Sequence, residues 1–281
     1  MDRYAVIGHP VAHSRSPWIH AEFARQTGER LSYDRIDVPA EGFAAAVQRF
    51  FAEGGCGLNV TVPHKETAFA LAAVHGLEAA AAHAVNTLSR GPAGALRGDN
   101  TDGRGLVRDL TANLGWPIAG QRVLLVGAGG AARGVLAPLL AQAPAALWLV
   151  NRTPARAQAL VAQAGRSAAV TAGGFDLLAG AAPFDLIINA TSAGLDAAAP
   201  ALPDSCIDRR SRCYDMLYGP GVTAFQYWAQ ARGVHTPAAQ GLGMLVEQAA
   251  ESFAIWRGVR PETGPVLARL RAQLGGAPVS G

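Results

Sequence analysis

The feature that most constrains the fold lies near the middle of the chain. The apolar run at residues 122–126 leads into Gly127-Ala128-Gly129-Gly130-Ala131-Ala132. Apolar residues at helical spacing follow over 129–142, and a second apolar run occupies 146–150. Strand, glycine turn, helix and strand in that order make a β-α-β unit, whose two strands must run parallel. Gly127 permits the tight turn, Gly129 lets backbone approach a phosphate, and Ala132 is small enough for the helix to pack on the strand. The helix start would offer unpaired N–H groups and partial positive charge to a pyrophosphate. A glycine turn without a ligand is the alternative, but the complete context favours a dinucleotide.

The residues after the second strand select the cofactor. A dinucleotide lacking the 2′-phosphate calls for Asp or Glu there, accepting from the ribose hydroxyl. This chain has Asn151-Arg152-Thr153, with Arg156 one turn later. Two guanidinium groups and a hydroxyl suit a 2′-phosphate, through charge-assisted hydrogen bonds. The expected cofactor is therefore NADP. Thr153 as a plain helix N-cap is compatible with that reading. Asn189-Ala190-Thr191-Ser192-Ala193-Gly194 follows a further strand at 185–189, which places it at the carboxyl end of a parallel sheet, where such cofactors bind; a simple turn is the other reading.

More strands are expected at 4–8, 31–38, 57–62, 85–89 and 213–217. Helices are expected at 18–26, 42–53, 105–113, 153–164, 242–257 and 261–274, and in two pieces between 65 and 82. The alternation predicts the α/β class. Half of the residues are hydrophobic and 16% are charged, enough apolar content for a full core. The longest apolar stretch, 134–150, is broken by Pro138, Gln142 and Pro144, which argues against a membrane span. Cys56, Cys206 and Cys213 are odd in number and lack metal-ligand spacing, so no metal is expected and the thiols suggest a reducing, cytoplasmic setting. A net charge of +3 from scattered basic residues gives little support to nucleic-acid binding.

Of the 24 lysine and arginine residues only Lys65 is a lysine. Arginine stays protonated at any working pH, whereas lysine can give and take a proton. Lys65 closes the run Asn59-Val60-Thr61-Val62-Pro63-His64-Lys65. Strand alternation puts Asn59 and Thr61 on one face, and Pro63 ends the strand and opens a helix with Lys65 in its first turn. The helix dipole disfavours a cation there, a placement that suits proton exchange better than stability. Asp102, in Asp99-Asn100-Thr101-Asp102-Gly103, could pair with Lys65 and position the amine; for Asp99, turn chemistry is preferred. His64 has no evident partner and reads as a packing or surface residue. Ser14 and Ser16 of Ser14-Arg15-Ser16-Pro17 could bind a carboxylate, or simply open a helix at Pro17.

These segments together resemble the shikimate dehydrogenase family over nearly the whole chain. The resemblance adds Ala84-Val85-Asn86-Thr87, Tyr214-Asp215-Met216 and residues 241–249. It implies an N-terminal α/β substrate domain (1–104), a Rossmann-like doubly wound NADP domain (105–239), and C-terminal helices (240–281) returning to the first domain. It implies reversible reduction of 3-dehydroshikimate to shikimate, on the route through chorismate to aromatic amino acids. By position, Lys65 and Asp102 correspond to the catalytic pair, and Ser14 and Ser16 to the carboxylate binders. Thr61, Asn86 and Gln248 correspond to partners of the ring hydroxyls, with Tyr218 nearby. Met216 and Gly241 would flank the nicotinamide. Gln248, Tyr218, Met216 and Gly241 rest on the resemblance alone. Leu217 stands where the family often has an aromatic residue, a change that could alter nicotinamide packing. The implied partner is a small-molecule substrate and the implied assembly a monomer or homodimer. The alternatives are a quinate or dual quinate/shikimate dehydrogenase and, in another class, a non-catalytic metabolite sensor.

Overall fold

A computed structural model describes residues 1–165, 170–191 and 199–275. The chain divides into two compact units, Met1–Gly105 with Leu245–Ala268, and Leu106–Met244 with Arg269–Gly281.

The first unit contains β1 (Asp2–Gly8), α1 (Ser16–Thr27), β2 (Leu31–Asp37), α2 (Phe43–Ala52), β3 (Gly55–Val60), α3 (Lys65–Leu71), β4 (Val74–His75), α4 (Leu77–Ala82), β5 (Thr87–Arg90) and β6 (Leu96–Asp99). The sheet order is β2-β1-β3-β5-β6-β4. β1 pairs in parallel with β2 and β3, whereas β5 runs antiparallel to β3 and β6. Ala5, Ile7, Leu58, Val60 and Leu88 pack from the sheet onto Phe43, Val47 and Phe50 of α2. An aromatic group of Tyr4, His20, Phe23, Phe253 and Trp256 forms a second packed region. β4 and β6 were not expected from the sequence. Each is short and glycine-flanked, without the alternation that marks a half-buried strand. Partners supply what local pattern lacks: β6 is held by the β5 register Thr87↔Asp99, and Gly98 admits close packing, since a Cβ there would lie 2.5 Å from Val85.

The chain leaves the first unit through α5 (Asp102–Arg108), which continues as a π-helical turn, Asp109–Asn113. The second unit then contains β7 (Arg122–Val126), α6 (Gly130–Leu140), β8 (Ala146–Val150), α7 (Pro154–Gln163), β9 (Val170–Gly173), β10 (Leu186–Asn189), β11 (Arg212–Asp215), α8 (Ala224–Gln230) and β12 (Ala239–Gln240). Its sheet, ordered β12-β11-β10-β7-β8-β9, is parallel throughout. Val123 and Leu125 enter one apolar cluster, Leu124 and Val126 the other. Burial on both faces explains why β7 reads as an unbroken apolar run rather than an alternating one. The apolar stretch 134–150 resolves into the end of α6 and all of β8, and among the described residues no helix is long and apolar enough to cross a membrane. β9, α8 and β12 were not expected. For α8 the signal was present: Thr223 and Gln226 form a capping box, readable as T-x-x-Q.

Two helices close the chain, α9 (Leu242–Arg257) and α10 (Gly264–Gln273). Both cross the division between the units, so the residues from Arg269 onward group with the second unit.

Candidate active site

In the first unit, Lys65 and Asp102 meet. Lys65 opens α3, where the helix dipole is unfavourable to a cation. Its Nζ donates to Asp102 Oδ2 at 2.5 Å, and the side chains are only 15% and 7% exposed. Asp102 is itself the first residue of α5, where the dipole favours an anion. The carboxylate thus offsets the dipole for the lysine, and the unfavourable placement read from sequence is resolved by a partner 37 positions away.

Asn86 fixes the other side of the carboxylate. Its Nδ2 donates to Asp102 Oδ1 at 2.8 Å, to Thr101 Oγ1 at 2.9 Å and to Gln248 Oε1 at 3.2 Å. Its Oδ1 accepts from the Thr101 amide at 2.9 Å. The backbone holds these groups in register: Val85 N–H donates to Lys65 O, and Asn86 N–H to Asp99 O. Gln248, on α9, is anchored by its Nε2 donating to Leu245 O. Asp102 N–H donates to the side chain of Asn100, so the polar turn forms as read. Asp99 binds Arg97 through both oxygens, at 2.8 and 2.9 Å, and is a structural partner. His64 is buried, stacks on Phe43 and hydrogen-bonds Val38 O through Nε2, which makes it a packing residue.

Thr61 follows β3 and accepts the first hydrogen bond of the turn to α3 through its carbonyl, from His64 N–H. Its side chain lies over Gly8, where a Cβ would come 2.3 Å from Thr61 Cγ2. Ser14 and Ser16 hydrogen-bond each other, hydroxyl to hydroxyl, at 3.2 Å. Ser16 opens α1 and is buried, whereas the N-cap residue Arg15 makes no side-chain cap bond, so the segment is both a helix start and a pair of adjoining hydroxyls.

One group of residues escaped the sequence reading as site residues. Asn59, buried at the end of β3, donates through Nδ2 to Asn86 O, Thr87 Oγ1 and Ser252 Oγ. The Ser252 hydroxyl also donates to Gln248 O. The available signals were the alternation that set Asn59 on the Thr61 face, and the i, i+4 spacing of Gln248 and Ser252 on one helix face.

The second unit builds the glycine turn as expected. Gly127 has φ of +111°, a region L-residues rarely enter, and a Cβ there would sit 3.0 Å from the Ala190 backbone. Nothing lies within 4 Å of where a Cβ of Gly129 would be, and Gly129 is the N-cap residue of α6. Backbone N–H groups at this helix start are therefore open to approach, with Ala128, Gly130 and Ala131 alongside, which fits a dinucleotide pyrophosphate. Asn151 donates to Thr153 O at 3.0 Å, which shapes the turn after β8. Thr153 occupies the N-cap position of α7 without a side-chain cap bond. Arg152 and Arg156 are exposed, and neither side chain has a hydrogen-bond or ion-pair partner among the described residues.

A buried polar knot joins the ends of β10 and β11. Asn189 Oδ1 accepts from Thr191 N–H and Oγ1, and Asn189 Nδ2 donates to Asp215 Oδ1 at 3.0 Å. Asp215 also accepts from Leu217 N–H at 3.1 Å and Thr223 Oγ1 at 2.6 Å. Burial raises its pKa above the usual carboxylate value, with the donors from Thr223, Leu217 and Asn189 opposing. Met216 N–H is held by Asn189 O, and Gly241 packs on Met216, where a Cβ would lie 2.3 Å from the Met216 carbonyl oxygen. Thr191, Met216 and Gly241 are thus brought together. Ser192, Ala193 and Gly194 lie outside the described residues. Tyr218 is in the loop after β11 and belongs to the second unit, whereas Lys65 belongs to the first.

Known proteins resemble this chain along nearly its whole length. Residues 6–88 match the model of the shikimate dehydrogenase substrate binding domain, 110–208 that of shikimate / quinate 5-dehydrogenase, and 241–271 that of the shikimate 5′-dehydrogenase C-terminal domain. The chain is 57% identical to a shikimate dehydrogenase (NADP(+)) of Alkalilimnicola ehrlichii, across 97% of this chain and 99% of that protein. A protein of the same name from Aromatoleum aromaticum is also 57% identical, over 98% and 99% of the two chains. Among solved structures, an Ael1 enzyme from Pseudomonas putida superimposes with a TM-score of 0.89 at 42% identity, covering 100% of both chains. A shikimate 5-dehydrogenase from Thermus thermophilus, solved with NADP(H) and shikimate, gives 0.84 at 35% identity, covering 97% and 99%. Matched along nearly its entire length by sequence and by fold, this chain belongs to the shikimate dehydrogenase family.

Proposed function

We propose that this protein is an NADP-dependent shikimate dehydrogenase, reversibly reducing 3-dehydroshikimate to shikimate on the route to chorismate. The first unit is the substrate domain and the second the NADP domain. The observation that carries the reading is the Lys65 ammonium held 2.5 Å from Asp102 beside Asn86. It sits in a chain 57% identical to curated NADP-dependent relatives.

NADPH, when bound, supplies the hydride. The backbone of Gly127, Ala128, Gly129, Gly130 and Ala131 would hold its pyrophosphate, and Asn151, Arg152, Thr153 and Arg156 its 2′-phosphate. Thr191, Met216 and Gly241 would line the nicotinamide site. Lys65 Nζ carries the proton that the substrate oxygen takes up in reduction and surrenders in oxidation. Asp102 aims that amine, and the Asn86 amide keeps the carboxylate from turning away. Ser14 and Ser16 grip the substrate carboxylate; Thr61, Asn86 and Gln248 bind ring hydroxyls, with Tyr218 adjoining the substrate. The three free thiols suit a cytoplasmic enzyme, acting as a monomer or homodimer.

The test is NADPH consumption with 3-dehydroshikimate. Lys65→Met should lower kcat by about 10²–10⁴-fold with the KM for NADPH unchanged. Wild-type protein inert toward 3-dehydroshikimate would overturn the reading, and faster oxidation of quinate than of shikimate would move it to quinate dehydrogenase.

A further inference from the structure

β2 is one of the two edge strands of the first sheet, paired only with β1. Strand alternation places Tyr33, Arg35 and Asp37 on one of its faces. On an edge strand such polar residues usually do no more than meet solvent. Here Arg35 and Asp37 are committed to the segment that joins β1 to α1, and Tyr33 to the network behind it. Asp37 accepts from the Val11 amide at 3.1 Å through one carboxylate oxygen and meets His9 Nδ1 at 2.6 Å through the other. Arg35 donates through both Nε and Nη2 to the carbonyl oxygen of Ser14, at 3.1 and 2.6 Å. Tyr33 Oη donates to Asn59 Oδ1 at 2.7 Å, on β3 beyond β1. As β2 is followed from Arg35 to Asp37, the joining segment is met in reverse order, Ser14, then Val11 and His9.

We infer that this stripe is a positioning rail for the two serines, and that Arg35 sets how firmly the substrate carboxylate is held. The inference rests on the reading of Ser14 and Ser16 as carboxylate ligands. The segment has little else to define it. Its own bonds are Ser14 N–H to Val11 O, Ser16 N–H to Ser14 Oγ and the Ser14–Ser16 hydroxyl pair, and His9 N–H is tied to Val62 O. Two hydroxyls must be held to within a fraction of an ångström to bind both oxygens of a carboxylate, which requires support from behind. A guanidinium with two N–H donors on one carbonyl is a charge-assisted clamp. It also brings a positive charge next to the serines, where an anionic group would sit. Tyr33 continues the rail into the Asn59 network and so links the carboxylate end to the residues around Asn86. Arg35 and Tyr33 act through other residues and do not themselves react.

The experiment compares shikimate with its methyl ester in the full-length enzyme at saturating NADP, for wild type, Arg35→Gln, Arg35→Lys and Tyr33→Phe. In Arg35→Gln the KM for shikimate should rise about tenfold, the net size of one such hydrogen bond, with kcat within twofold. The KM for the ester should rise less than threefold, because the ester carries no charge. Arg35→Lys should recover part of the loss, and Tyr33→Phe should raise the KM for the acid about fivefold. A rail that merely stabilised the fold would harm acid and ester alike, so equal losses overturn the inference. So does a KM for shikimate within twofold of wild type in both Arg35→Gln and Tyr33→Phe. If the wild-type enzyme itself shows no preference for acid over ester, the carboxylate role of the serines falls, and this inference with it. If wild type prefers the acid and Arg35→Gln keeps that preference whole, only the role of β2 falls.

Discussion

Asp102→Asn is the sharpest probe of the site, because it is isosteric and its consequence can be worked from three side chains. One carboxylate oxygen of Asp102 accepts from Lys65 Nζ at 2.5 Å and the other from Asn86 Nδ2 at 2.8 Å. An asparagine offers only one acceptor. If it faces Lys65, its own amide meets the Asn86 amide, donor against donor; if it faces Asn86, the ammonium loses its partner. Either way one bond is lost, and the counter-charge to Lys65 vanishes where its side chain is only 15% exposed. A hydrogen bond to a charged group contributes about 1.5–3 kcal/mol. If that amount is felt in the transition state, kcat falls about 10- to 150-fold. The KM for NADPH should stay within twofold, because Asp102 belongs to the first unit, whereas the glycine turn and the Asn151–Arg156 segment belong to the second. Steady-state NADPH oxidation measures both. A kcat within threefold of wild type in folded protein would show that the pair does not organise the reacting amine.

Three other outcomes follow from the structure. Arg152→Ala should raise the KM for NADPH by at least tenfold and that for NADH by less than threefold, from steady-state kinetics with each cofactor, since a lost charge-assisted contact to a 2′-phosphate affects only the first. Gly241→Ala should raise the KM for NADPH and lower the melting temperature, because its Cβ would lie 2.3 Å from the Met216 carbonyl oxygen; overpacking of this kind costs about 1–3 kcal/mol. His20 is fully buried and stacked 4.3 Å from the Tyr33 ring, and burial lowers its pKa to about 3, with the Asn59 side chain opposing. The unfolded chain takes up this proton below about pH 6.5 while the folded chain does not, so the stability it contributes is present above pH 6.5 and lost as pH falls toward 3. His20→Phe should therefore flatten the acid limb of the stability profile by about 1.4 kcal/mol per pH unit in that window, seen as melting temperatures that converge with, then exceed, those of wild type as pH falls.

The second unit was the more legible of the two. β7 and β8 lie where the apolar runs placed them, because a parallel strand buried on both faces must be apolar along its length. The glycine turn was equally clear, since Gly127 needs a backbone region closed to other residues. β4, β6, β9 and β12 were not legible, being two to four residues long and held by pairing partners rather than by their own pattern. His64 and Lys65 show the same division within one motif. They are adjacent in sequence, yet one packs on Phe43 and the other turns toward Asp102. Adjacency alone could not separate those fates, although the rarity of lysine pointed to the right one.

The amino-acid sequence by itself determined the features that consecutive residues encode: strand and helix periods, the glycine turn, the basic residues after β8, and the choice of a lone lysine. These are local because backbone sterics and side-chain period act over a few residues. Only the tertiary structure decided which groups meet. Pairing of β5 with β3 and β6 carries Asn86 and Asp102 to Lys65, α9 brings Gln248 and Ser252 to Thr101 from 147 and 151 positions away, and β2 lays Arg35 against Ser14. Such meetings depend on which strand pairs with which, a long-range outcome of burying two apolar sheet faces that no short segment records.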